Sequence, residues 1–190
     1  MEFLGLDNVV SIFSNVECGK FAVIGSTPSL GKTSFALTLL KEITMNKNIS
    51  SILFSLEMPK SALEKRMAEI DFRQNDCFHI FDDPKLSIEE LSNILENKIK
   101  ESMIKICFID YFGILNGNRP IIETTKFLKS LAIKLNISII VMAQISSDFN
   151  GLTPELSHYE TFSNDADLII ALNKNKEQKE TELIILKNLA

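Results

Sequence analysis

Short apolar runs recur along the chain: FAVI from Phe21, SILFS from Ser51, FHIF from Phe78, IKICFI from Ile104, SIIVMA from Ser138, DLIIAL from Asp167 and ELIIL from Glu182. Their length and near-continuous apolar character suit strands buried on both faces. Between them the apolar positions fall into helical spacing. Asn8–Ser14 predicts a short helix and Lys32–Met45 a longer one. Pro59 stands at the first position of a third, with Ala62, Leu63, Met67 and Ile70 inward, and Thr124–Leu135 carries Phe127, Leu128, Leu131 and Leu135 inward. Ser87 to Glu90 form a capping box, S-x-x-E, with Ile88, Leu91, Ile94, Leu95 and Ile99 at helical spacing. Gly113–Pro120 reads as a loop and Ser146–Asn164 as a polar connector. The final two runs, joined by a Lys-rich turn, read as an antiparallel pair. Strands alternating with helices and ending in a hairpin define an α/β class: a mostly parallel sheet flanked by helices, with ligands at the strand C-termini.

Composition narrows this picture. At 190 residues the chain is one domain, residues 1–190, long enough to bury roughly 70% of the surface its unfolded form exposes. Residues 1–20 mix apolar side chains with turn formers and are expected against the domain edge. Cys18, Cys77 and Cys107 are widely spaced and odd in number, as reduced thiols of a cytoplasmic protein are. No basic segment precedes a long apolar stretch at the N-terminus, and no window approaches the ~18 apolar residues of a membrane span, so no membrane partner is expected. The net charge is −5 and the only arginines are Arg66, Arg73 and Arg119, which gives no overall basic face for nucleic acid. Lys174, Asn175, Lys176 and Lys179 read as a solvated hairpin tip, and His79, His158, Glu155 and Glu160 as structural or surface residues without metal-ligand spacing.

Candidate chemistry centres on FAVIGSTPSLGKTSFALTLL, residues 21–40, where a strand breaks into a loop of small residues and resumes as a helix. Backbone N–H groups of such a loop point at an anion and the helix N-terminus adds partial positive charge. Ser26, Thr27, Pro28, Ser29, Leu30, Gly31, Lys32, Thr33 and Ser34 are the candidate phosphate-binding residues, with Lys32 on the terminal phosphates and Thr33 on Mg²⁺. The match to G-x-x-x-x-G-K-[ST] is imperfect: Ser26 stands at the first required glycine and Gly25 falls one residue early. Glu57, Asp110 and Gln144 each follow a buried strand and converge on the same sheet edge. Asp110 suits an acid holding Mg²⁺ with Thr33, Glu57 a base for a water aimed at the terminal phosphate, and Gln144 a sensor of that phosphate.

The segments STPSLGKTSFAL, ILFSLEMP, ICFIDY, LKSLAIKLNISIIVMAQIS, NDADLI and ELIILK, in this order, resemble the RecA-type motor domain of the DnaB family of bacterial replicative hexameric helicases. The resemblance covers nearly the whole chain and implies a RecA-like P-loop ATPase using ATP and Mg²⁺. It assigns Lys32 and Thr33 to phosphate and Mg²⁺, Asp110 to the second-motif acid, Glu57 to the catalytic base and Gln144 to the sensor. Lys187 matches a lysine that reaches a neighbouring subunit's nucleotide. Two residues on, the family's arginine finger is replaced by Leu189, which predicts slow turnover or a finger from elsewhere, with Arg119 and Arg73 as candidates. The loops after Asp110 and Gln144 that would track single-stranded DNA are short, and no amino-terminal primase-binding domain is expected. A stable hexamer therefore does not follow from the resemblance.

Two readings stand. One is an ATPase related to replicative helicase, coupling hydrolysis to DNA unwinding or translocation, with single-stranded DNA, further copies or other replication proteins as partners. The other is a stand-alone nucleotide-dependent regulatory or interaction protein without the DNA loops and finger. A small-molecule kinase fits less well, because such enzymes clamp the transferring phosphoryl group with several arginines.

Overall fold

In the computed structural model the apolar runs assemble into one eight-stranded sheet with helices on both faces. The structure describes residues 3–15, 19–28, 30–73, 75–116, 119–145, 154–174 and 180–189. In chain order the elements are β1 (Phe3–Leu4), α1 (Leu6–Asn15), β2 (Phe21–Ser26), α2 (Lys32–Lys41), β3 (Ser51–Ser55), α3 (Lys60–Glu69), β4 (Phe78–Phe81) and α4 (Ile88–Ser102). They continue with β5 (Ile106–Asp110), α5 (Phe112–Asn116), α6 (Ile121–Leu135), β6 (Ser138–Gln144), α7 (Glu160–Ser163), β7 (Leu168–Lys174) and β8 (Thr181–Asn188). Across the sheet the order is β1-β8-β7-β2-β6-β5-β3-β4, and every pair is parallel except β7 with β8. The predicted mostly parallel sheet with a C-terminal antiparallel pair is the observed architecture.

Alternation along each central strand feeds two cores. Phe21 and Val23 pack with α4, α5, α6 and α7 on one face, whereas Ala22 and Ile24 pack with α1, α2 and α3 on the other. Both faces being covered is why these strands lack polar positions. The capping box is complete: Ser87 Oγ accepts from Glu90 N while the Glu90 carboxylate accepts from Ser87 N. Helix α2 ends earlier than its predicted Met45, passing into a π-helical turn over Glu42–Asn46, where the Thr44 hydroxyl donates to the Leu40 carbonyl at 2.6 Å.

Four local readings are corrected. The N-terminal segment carries a strand, β1, too short to show a period. The segment 113–120 is not all loop, because α5 occupies its first half and buries Phe112 and Leu115. In α6 Phe127 does not face inward but is 37% exposed. Thr124 and Thr125 are buried in its place, and the Thr125 hydroxyl donates to Asp165 at 2.6 Å. The connector after β6 is polar only on average: Tyr159 and Phe162 within it are buried, and Phe162 meets Phe112 edge-on at 5.2 Å. Cys18, Ser29, the segment 146–153 and the turn 175–179 lie outside the described residues.

Candidate functional site

Strands β2, β3, β5 and β6 are parallel neighbours, so their C-terminal ends share one edge, and helices starting there present their N-termini to it. Gly31 leads the chain into α2 with φ 84°, a left-handed conformation that favours glycine, and its carbonyl accepts the first helical bond from Phe35 N at 2.9 Å. Gly25 has another reason. A Cβ there would fall inside the Tyr159 ring, which packs against the last turn of β2 beneath the loop. The early glycine is thus demanded by an aromatic neighbour, and Ser26, buried at the strand end, takes the loop's first position.

Asp110 ends β5 opposite Ser55 of β3 and Met142 of β6, and is 2% exposed. Its Oδ2 accepts from Thr33 Oγ1 at 2.7 Å. Burial raises its carboxyl above the usual range, the Thr33 hydrogen bond opposes this, Glu57 adds to it, and Lys32 and Arg66 oppose it more weakly. Lys32 is pulled below the ordinary lysine range by burial, against the opposing charges of Asp110 and Glu57, and its Nζ lies 3.4 Å from Ser26 Oγ. A buried carboxylate and an ammonium, each disfavoured in its charged form, mark a place prepared for additional charges.

Glu57 lies two residues beyond β3 in a turn held by two bonds: Leu56 N donates to the Asp110 carbonyl at 2.7 Å and Ser55 Oγ to the Met58 carbonyl at 2.7 Å. Gln144 ends β6 in register with Ser26 and is exposed. Lys32, Thr33, Glu57 and Gln144 line one open cleft of about 660 Å³ with Pro28, Gly31, Ser34, Leu37, Arg66, Glu69 and Ile70. The predicted convergence of strand-end residues on the loop is therefore present. Arg66 and Glu69, on α3, were not foreseen as cleft residues. The signal was available: a helix that begins at the strand edge keeps its early turns beside the site.

The donor set fits a hard divalent cation. Thr33 and Asp110 offer two oxygens, and among the described residues no cluster of His, Cys, Asp and Glu forms an all-protein metal cage. Mg²⁺ is commonly held in this way, by one or two protein oxygens plus phosphate and water. Lys187 is elsewhere: its Nζ donates to the carbonyls of Ser163 and Ala166, both at 2.6 Å, on its own chain. Arg119 pairs with Glu89 at 2.7 Å and Arg73 with Asp71 at 3.2 Å, and neither lines the cleft. The Cys107 thiol is buried, and burial pushes it well above its ordinary value.

A parallel sheet with this loop at its edge, an acid on a neighbouring strand and helices on both faces defines the RecA-like P-loop class. The model of the DnaB-like helicase C-terminal domain matches residues 2–75 and 64–189, and the chain belongs to that family. The replicative DNA helicase DnaB of Treponema pallidum is 28% identical over 218 residues, covering 96% of this chain and 49% of the relative. The chain thus spans about half the length of the curated relatives it matches. Among solved structures, a free-standing ATPase domain superposes with a TM-score of 0.77 at 25% identity, over 90% of this chain and 77% of that one. A DnaB-like replicative helicase, studied with its interactions with primase, gives 0.78 at 25% identity, over 91% and 54%.

Proposed function

We propose that this domain binds ATP with Mg²⁺ in the β2–α2 cleft and hydrolyses it. The single observation that carries this is the 2.7 Å contact between Thr33 and the buried Asp110 at the mouth of the loop, with Lys32 and Glu57 in the same cleft. Residues 26–34 cradle the phosphates through their backbone N–H groups, and Lys32 bonds the terminal pair. Thr33 and Asp110 hold Mg²⁺, which when bound neutralises charge on the phosphate oxygens. Glu57, exposed and outside the loop, orients a water and takes its proton as the water oxygen attacks the terminal phosphorus. Gln144 contacts that phosphate and registers its loss. Membership of the helicase family supports coupling of this cycle to single-stranded DNA in an assembly of several copies.

A second reading, a stand-alone nucleotide-dependent interaction protein, is favoured by one observation: Lys187 is already satisfied by its own chain. ATP binding and turnover, measured with and without single-stranded DNA and beside solution mass, separate the two. Stimulation and assembly support the motor, and a monomer without stimulation supports the second reading. Lys32→Ala is expected to abolish nucleotide binding. Glu57→Gln keeps it and lowers turnover by about 10²-fold or more. Turnover of Glu57→Gln at the native rate removes Glu57 from the role of base.

A further inference from the structure

The chain has three arginines, and the structure treats them differently. Arg73 and Arg119 each rest on a carboxylate at the surface, away from the cleft. Arg66 lines the cleft beside Glu57 and Lys32 and makes no hydrogen bond or ion pair with any described residue. Glu69, one helical turn on, lines the same cleft without capturing it.

Its support is rigid. Helix α3 buries Leu63 and Met67 against the sheet, and its first free N–H, on Lys60, donates to Asp82 Oδ2 at 2.7 Å. The same short segment carries Glu57, so the carboxylate and the guanidinium are mounted on one bracket. The Arg66 charge is also felt at Asp110, on the floor of the site. A guanidinium stays charged at any relevant pH and presents a planar fork that matches phosphate oxygens.

We propose that Arg66 supplies, from within the same chain, the guanidinium that contacts the terminal phosphoryl group as it is transferred. This rests on the ATPase reading above. In the step, a water oxygen forms a bond to the terminal phosphorus and its proton passes to Glu57. The bond from that phosphorus to the bridging oxygen breaks, and the electron pair leaves with ADP. Arg66 makes and breaks no covalent bond; it stabilises charge on the transferring oxygens, where an arginine is worth roughly 10³–10⁵ in kcat.

The experiment compares Arg66→Ala, Arg66→Lys, Arg73→Ala and Arg119→Ala in ATP turnover, and in calorimetric binding of Mg-ADP with and without aluminium fluoride. Arg66→Ala is expected to lower kcat by about 10²-fold or more with KM within about threefold, and to lose the gain in affinity that aluminium fluoride confers. Added guanidinium ion restores part of the rate, Arg66→Lys recovers little, and the two surface variants match the native protein. Native turnover in Arg66→Ala, or a raised KM with unchanged kcat, overturns the proposal while leaving the ATPase reading intact. A native protein that binds no Mg-ADP overturns both.

Discussion

The two ends of the same sheet hold charged clusters built on opposite terms. At the N-terminal ends of β2 and β7, Lys129 Nζ sits 2.6 Å from Asp167 Oδ2 and also donates to the Gly19 carbonyl. Asp167 further accepts from Phe21 N at 2.8 Å, so each group there has its partners. At the C-terminal ends, Lys32 and Asp110 are both pushed toward neutrality by burial, and Arg66 has no carboxylate. Satisfied charges lock an element, whereas charges held short of partners reserve affinity for something that arrives. The contrast, more than the presence of charged residues, separates a brace from a site.

Breaking the brace should give the largest change in stability. Asp167→Ala strands Lys129 and the Phe21 N–H. It is expected to cost about 2–3 kcal/mol, below the ~3–5 kcal/mol of a fully buried pair, because the two side chains keep 25% and 15% exposure. Denaturant unfolding measures this, and nucleotide affinity of the folded variant should be unchanged. Loss of affinity without loss of stability would contradict the division between the ends.

A smaller effect is expected beneath the loop. Gly25→Ala drives a methyl into the Tyr159 ring and is expected to cost about 1–3 kcal/mol. The double variant with Tyr159→Ala should recover part of this, with a coupling of about 0.5–3 kcal/mol in a four-member cycle. Strict additivity would mean that the two do not share the space.

Asp110→Asn should give the smallest change, and of opposite sign. Because the folded protein raises the Asp110 pKa, native stability falls as pH rises from the ordinary carboxylate value through the raised one. The variant lacks that loss. It is expected to gain about 1 kcal/mol or less near neutral pH, roughly 2–4 °C in Tm, and nothing at low pH. It should also lose the Mg²⁺ dependence of nucleotide binding. A gain independent of pH would point to packing, not charge.

Much of this was legible in the chain because buried parallel strands have no polar face to confuse their pattern, so β2, β3, β5 and β6 stand out and their last residues point to the cleft. What stayed hidden depends on distant partners. β1 exists only because β8 pairs with it. Tyr159 reads as part of a polar connector until Gly25 is found against its ring. Phe127 obeys the helical spacing yet stays half outside, while Thr124 and Thr125 go inward, one of them held by Asp165. Arg66 belongs to a helix, and a search confined to strand ends passes over it.

Strand β2 carries the phosphate loop at the centre of the sheet, and both strands that flank it, residues 138–144 and 168–174, come far later in the chain. During synthesis the loop therefore emerges long before the scaffold that shapes it, and its lateral hydrogen bonds wait for the last third of the polypeptide. Such non-local closure is slow and leaves apolar strand edges open meanwhile. The nucleotide cleft is consequently among the last features of the domain to form, even though its signature sequence is among the first to be translated.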